Sequence, residues 1–117
     1  MLYDCAFDRE THLLTVRWYR YFTPADVLAY GRDYMRGFVA SHFRSGYRLL
    51  LDMSLCEAQP RDTLEPFMTH MKLIPKASRI AVVATAPMMR NQVDRLMTQP
   101  YRKLFGKLHE AQRWVLS

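Results

Sequence analysis

The chain has 117 residues, half of them hydrophobic and 24% charged, which is the size and make-up of one folded domain with a single core. That composition excludes a disordered or fibrous chain, and Cys5 and Cys56 alone, 51 positions apart, exclude a disulfide framework and fit thiols that stay free in a reducing compartment. The formal net charge of +6 lies in the second half, because residues 1–59 carry seven basic and seven acidic side chains and residues 60–117 carry ten and four.

Leu2 to Asp8 alternates, with Tyr3, Cys5 and Phe7 on one side and Asp4, Ala6 and Asp8 on the other, the period of a half-buried strand. After the polar connector Arg9-Glu10-Thr11, residues Leu14, Val16 and Trp18 alternate with Thr15, Arg17 and Tyr19, so the two runs read as an antiparallel hairpin. Thr23-Pro24-Ala25-Asp26 is a helix start: Thr caps, Pro suits the first helical position, and Asp suits the positive end of the dipole. Val27, Leu28, Gly31, Tyr34, Met35, Phe38, Val39 and His42 recur at helical spacing and predict a long helix packed on a sheet, ended by Ser45-Gly46.

Tyr47 to Leu51 is a short apolar run before Asp52, as expected of a central strand covered on both faces. The polar stretch Ser54 to Pro60 leads to a second helix with core positions Leu64, Phe67, Met68 and Met71, ended by Pro75. Pro66 falls in its first turns, where the earliest helical amides have no intrahelical acceptor. Ile80 to Ala84 predicts another buried strand. Pro87 opens a third helix carrying Met89, Val93, Leu96 and Met97 inward, and Pro100 stops it. Lys103 to Leu108 predicts a final edge strand, and His109 to Leu116 a closing helix. The order β-β-α-β-α-β-α-β-α implies one α/β domain over 1–117, with a mixed, mostly parallel sheet of about five strands and about four helices.

This order, with the phrases Tyr21-Phe22-Thr23-Pro24-Ala25-Asp26, Leu49-Leu50-Leu51-Asp52-Met53-Ser54, Arg79-Ile80-Ala81-Val82-Val83 and Glu110-Ala111-Gln112-Arg113-Trp114-Val115, resembles the SpoIIAA-like family, which is related in fold to STAS domains. The resemblance covers nearly the whole chain. In the anti-anti-sigma branch of STAS domains, phosphorylation of a Ser or Thr near the start of the helix after the central strand releases a partner kinase. That branch's Asp-Ser-Ser-Gly signature is absent. The matching stretch, Glu57-Ala58-Gln59-Pro60-Arg61-Asp62-Thr63, offers Thr63 as its only hydroxyl, either as a phosphate acceptor at a helix N-terminus or as a plain cap.

Catalytic sets are hard to assemble. His12, His42, His70 and His109 show no metal-ligand spacing, and glycine occurs only at 31, 37, 46 and 106, so no phosphate loop or dinucleotide fingerprint forms. No cofactor and no metal is expected, and an enzyme would need convergent groups such as Cys56 with His70. Ligands of open α/β sheets bind beyond the carboxyl ends of the strands, here the Asp52–Arg61 loop and the Thr85–Met89 turn. These segments offer Asp52, Ser54, Thr85 and Asn91 as polar groups and Met88 and Met89 as flexible apolar ones, a mixture suited to a protein contact or a small pocket unless Asp52 and Thr85 merely bond neighbouring backbone.

Arg90, Arg95, Arg102, Lys103 and Lys107 are expected to form a solvated basic face rather than a nucleic-acid site, because exposed aromatics and a recognition motif are lacking. Asp4 and Asp8 stand where a signal peptide needs a basic start, and no aliphatic run approaches the roughly 20 residues of a membrane span. A cytoplasmic, non-catalytic regulatory or interaction domain with a protein partner is the expectation. The alternative is a carrier of a small apolar ligand or lipid fragment, and the two sheet edges also allow a homodimer.

Overall fold

Alternating strand and helix segments place the residues of the structure, a computed structural model describing residues 2–117, around a single sheet. Its elements are β1 (Tyr3–Asp8), β2 (Leu13–Arg20), α1 (Pro24–Ala40), β3 (Arg48–Cys56), α2 (Arg61–Leu73), β4 (Arg79–Val83), α3 (Pro87–Leu96), β5 (Arg102–Phe105) and α4 (Leu108–Leu116). The described residues form a five-stranded sheet in the order β1-β2-β3-β4-β5. β1 pairs antiparallel with β2, and each later pair is parallel. The expected hairpin and the central place of β3 both hold, and β1 lies at an edge.

The strand order never reverses. The crossover helices α1, α2 and α3 therefore stay on one face, where Trp18, Tyr30, Tyr34, Leu49, Leu51, Phe67 and Val82 fill the main core. Alternate strand residues Leu13, Leu50, Ala81 and Val83 point the other way and meet Ala111 and Val115 of α4. Trp18 is fully buried and organises the main core: its ring lies 4.1 Å from Phe22, 4.9 Å from Tyr30 and 5.0 Å from Tyr3. Aromatic pairs of this kind add about 0.5–1.5 kcal/mol each beyond area burial.

α1 begins as its sequence predicts. Asp26 donates its amide to Thr23 Oγ1 at 3.2 Å, and the Asp26 carboxylate accepts the Thr23 amide at 2.7 Å, a reciprocal capping box. Its end differs from expectation: the helix stops at Ala40, not at Ser45-Gly46. His42 takes a left-handed φ of 57°, its amide donates to Val39 O at 3.1 Å, and the Phe43 amide donates to Phe38 O at 3.0 Å. These are the two bonds of a Schellman ending, completed by the Phe38–Phe43 ring contact at 5.9 Å, with His42 where glycine is the usual choice.

Three further segments differ. β3 runs to Cys56 rather than Leu51, so Asp52 and Ser54 are strand residues. The last strand is Arg102–Phe105, shorter and earlier than Lys103–Leu108. Pro66 is the sixth helical residue of α2, past the free amides of the first turn, so its ring deprives the exposed Asp62 carbonyl of an intrahelical donor. On α1 the core side is Val27, Tyr30, Tyr34 and Phe38. Tyr30 is an addition to the expected set, whereas Leu28, Met35 and Val39 face solvent.

Candidate functional site

The carboxyl rim of the sheet is set by one buried carboxylate. β2 and β3 are in register at Arg17 and Asp52, then slip, so that Tyr19 pairs with Leu55. The extra residue of this bulge is held by Asp52: its Oδ1 accepts the Ser54 amide at 3.1 Å and the Ser54 hydroxyl at 2.6 Å, and its Oδ2 accepts Arg17 Nε at 2.9 Å. Thr85, just past β4, donates its hydroxyl to Ser54 O at 3.2 Å. The Asp52 carboxylate, almost wholly out of solvent, thereby has a cation, an amide and a hydroxyl as partners, which is what a buried charge requires. The bulge shifts the strand's alternation by one, so that Cys56 rather than Leu55 continues the buried face of Leu49, Leu51 and Met53 and Leu55 is left exposed.

A second polar hub fixes the β3–α2 loop. Gln59 is buried; its Oε1 accepts the Phe22 amide at 3.2 Å, and its Nε2 donates to Arg20 O at 2.8 Å and Glu57 O at 2.7 Å. Its backbone is clasped by Gln92 of α3, with Gln59 N donating to Gln92 Oε1 and Gln92 Nε2 donating to Gln59 O, both at 2.9 Å. The sequence reading missed this hub. A glutamine among loop residues carries no periodic signal, and its partners lie at least 33 positions away except for Glu57.

Asp52, Ser54 and Thr85 thus come together, but they bond each other and the backbone. Met88 stands out from the first turn of α3 with 65% of its surface exposed, while Met89 is a core residue. The expected pairing of Met88 and Met89 as two flexible contacts therefore reduces to Met88, since adjacent positions on a helix face about 100° apart. Thr63 is neither exposed nor a cap: it is buried in the first turn of α2, with its hydroxyl donating to Phe22 O at 3.0 Å. Asn91 is exposed on α3. Near the rim, Leu55 is 55% exposed, and Tyr21 is exposed with its hydroxyl on Glu57 Oε2 at 2.6 Å.

Reactive groups do not converge here. Burial, reinforced by the Asp52 charge, pushes the Cys56 thiol up to about 12, and burial with the nearby Asp33 and Asp4 charges raises Cys5 to about 11. Both thiols stay protonated at neutral pH. His70 is walled by the rings of Tyr30 at 4.5 Å and Tyr34 at 5.0 Å, and burial lowers it to about 4. Among the described residues no group of three or more His, Cys, Asp and Glu side chains could hold a metal ion, and no helix is long and apolar enough to cross a membrane. Of the basic side chains in the second half, Arg90 donates to Ala84 O, and Arg102 donates to Met97 O and Asp94, so these two serve the fold rather than a common patch.

Two of the cavities lie between helices. An apolar groove of about 260 Å³ separates α1 from α2, and a mixed one of about 580 Å³ separates α2 from α3. The strand order does not reverse, whereas the crevice of open α/β sheets forms where neighbouring crossovers leave to opposite faces. Between the layers, among Phe22, Met53, Phe67, Met89 and Val93, the space is about 10 Å³, at or below what one water needs.

No family model and no curated protein matches the sequence. Solved structures do match the fold. An uncharacterised protein of the DUF3478 family with a SpoIIAA-like fold, from Shewanella loihica PV-4, superposes with a TM-score of 0.71 at 14% identity, covering 97% of this chain and 93% of that one. An anti-sigma factor antagonist from Mycobacterium paratuberculosis gives 0.67 at 16% identity, covering 98% and 95%. The fold is SpoIIAA-like, as the sequence phrases indicated.

Proposed function

We propose that this chain is a non-catalytic docking domain that regulates, or is regulated by, a protein partner bound at the carboxyl rim of its sheet. One observation carries the reading: Leu55 and Met88 are exposed on a rim whose polar groups are satisfied internally by Asp52, Thr85 and Gln59. A rim of this kind loses little order on binding and offers apolar area, each large side chain contributing about 1.5–3 kcal/mol if fully buried. Met88 adds an unbranched, polarizable side chain that adapts to its contact. The structural neighbour described as an anti-sigma factor antagonist is, by those words, directed against another protein, which supports a protein rather than a metabolite as the occupant. Thr63 lies outside the proposed surface. The carrier reading gains no support from the space between the layers, which is about 10 Å³.

The test is affinity capture from the native lysate with wild-type bait and with the Leu55→Asp/Met88→Asp variant. Both substitutions are at exposed positions, so the melting temperature should change little. A partner retained by the wild type and lost from the variant supports the reading; equal retention by both overturns it.

A further inference from the structure

α1 carries more apolar surface than the core uses. Its buried side is Val27, Tyr30, Tyr34 and Phe38, yet Leu28, Met35 and Val39 form a second stripe turned about 100° away, at spacings of seven and four residues. Leu28 and Met35 form one wall of the groove with α2, whose wall includes Pro66, His70 and Leu73, and Val39 extends the stripe beyond it. Gly31 sits at the floor, where a Cβ would make only an ordinary contact, 3.4 Å from His70 Nδ1, and its absence leaves the floor concave. Val39 and Leu73, at 70% and 77% exposure, are among the most exposed large apolar side chains described.

The charges along this groove select what can cover it. Arg32 and Arg36 lie on the solvent side of the α1 stripe, and no ion pair within 4.0 Å involves either among the described residues. Nearby acids are engaged elsewhere: Asp33 accepts the Tyr3 hydroxyl, Asp26 holds the Thr23 cap, and Glu65 is 3.7 Å from Arg61. A second copy packed α1 against α1 would set the Arg32–Arg36 ridge against itself, and a flat lipid surface would leave the concave floor uncovered. A helix fits both features. From Leu28 to Val39 the stripe runs roughly 16 Å, about three helical turns.

We infer that the α1–α2 groove binds an amphipathic helix of a partner protein, with apolar residues on the inward face and Asp or Glu on the flank that meets Arg32 and Arg36. This is the helix-in-groove mode, in which the apolar anchors supply affinity and the flanking charges set choice of partner and orientation. The site lies on the helical face of the molecule, separate from the carboxyl rim, and does not depend on what binds there.

The test uses the full chain and two fluorescent synthetic helical peptides of about four turns, identical in their leucine face and carrying glutamate or lysine on the flanks. Fluorescence anisotropy should show the glutamate peptide bound at least about tenfold more tightly than the lysine peptide. The Arg32→Glu/Arg36→Glu variant should reverse that order, and Val39→Asp/Leu73→Asp should lose binding of both at an unchanged melting temperature. The Leu55→Asp/Met88→Asp rim variant should bind like the wild type, which separates this inference from the docking rim. Equal affinity for both peptides, or binding of neither, would overturn it. So would a sedimentation shift from dimer to monomer on Val39→Asp/Leu73→Asp, which assigns the face to a second copy, or phosphatidylglycerol-vesicle binding lost with that variant, which assigns it to lipid.

Discussion

Gln59 and Gln92 bind one another reciprocally: each end of the Gln92 amide meets the Gln59 backbone at 2.9 Å, joining the β3–α2 loop to α3. Meanwhile the Gln59 side chain reaches back to Arg20, Phe22 and Glu57. One residue thus ties the ends of β2 and β3 to α3, and the rim carrying Leu55 and Met88 depends on that tie. Gln92→Ala leaves a Gln59 donor and acceptor without their partner, at about 1–3 kcal/mol. Urea unfolding should show that loss, and hydrogen exchange should quicken at the Gln59 amide while the central β3 amides remain slow.

The two glycines of α1 predict opposite outcomes for one substitution. At Gly31 a Cβ meets nothing closer than 3.4 Å, whereas at Gly37 it would fall 2.3 Å from Cε1 of Phe7. Gly31→Ala therefore keeps the helix-propensity gain of roughly 0.5–1 kcal/mol and should raise the melting temperature. Gly37→Ala must displace a ring packed edge-on to Phe43 at 5.2 Å. Overpacking of about 1–3 kcal/mol outweighs the same gain, so that variant should melt lower.

His70 makes stability fall on acidification. Burial holds its folded pKa near 4, against 6.5 for an ordinary histidine. Between those values the unfolded chain binds a proton that the folded chain excludes, so the contribution is complete above pH 6.5 and is lost as pH drops towards 4. From pH 7 to pH 4.5 the unfolding free energy attributable to this group should decrease by about 2 kcal/mol. Subtracting the pH 4.5 value from the pH 7 value for His70→Gln, again by urea unfolding, should give a difference smaller by that amount.

Periodicity revealed what rests on local pattern. The capped start of α1, the hairpin faces and the buried runs at Leu49–Leu51 and Ile80–Ala84 all follow from two- or 3.6-residue spacing. Three features did not follow. The Schellman ending at His42 uses a residue other than glycine, so the glycine signal at Gly46 places the end of the helix too late. Asp52 reads as a strand terminator, but its carboxylate instead holds a bulge that carries β3 on to Cys56. Tyr30 and Leu28 are both apolar positions on one helix, and only tertiary packing, with Tyr30 set against Tyr3 and Trp18 of the sheet, decides that Tyr30 goes inward and Leu28 stays out. For the rim, Asp52, Ser54 and Thr85 were located correctly as neighbours. Gln59 was invisible because its bonds are almost all long-range.

Hydrogen exchange of the chain with its captured partner, peptide by peptide, bears most directly on the proposal that this fold works by docking rather than by chemistry. The account predicts slowed exchange at Ser54–Glu57 and Thr85–Arg90, with Leu108–Leu116 of α4 exchanging as in the free protein. Unchanged exchange at both rim segments, with protection appearing on α4 instead, would contradict it.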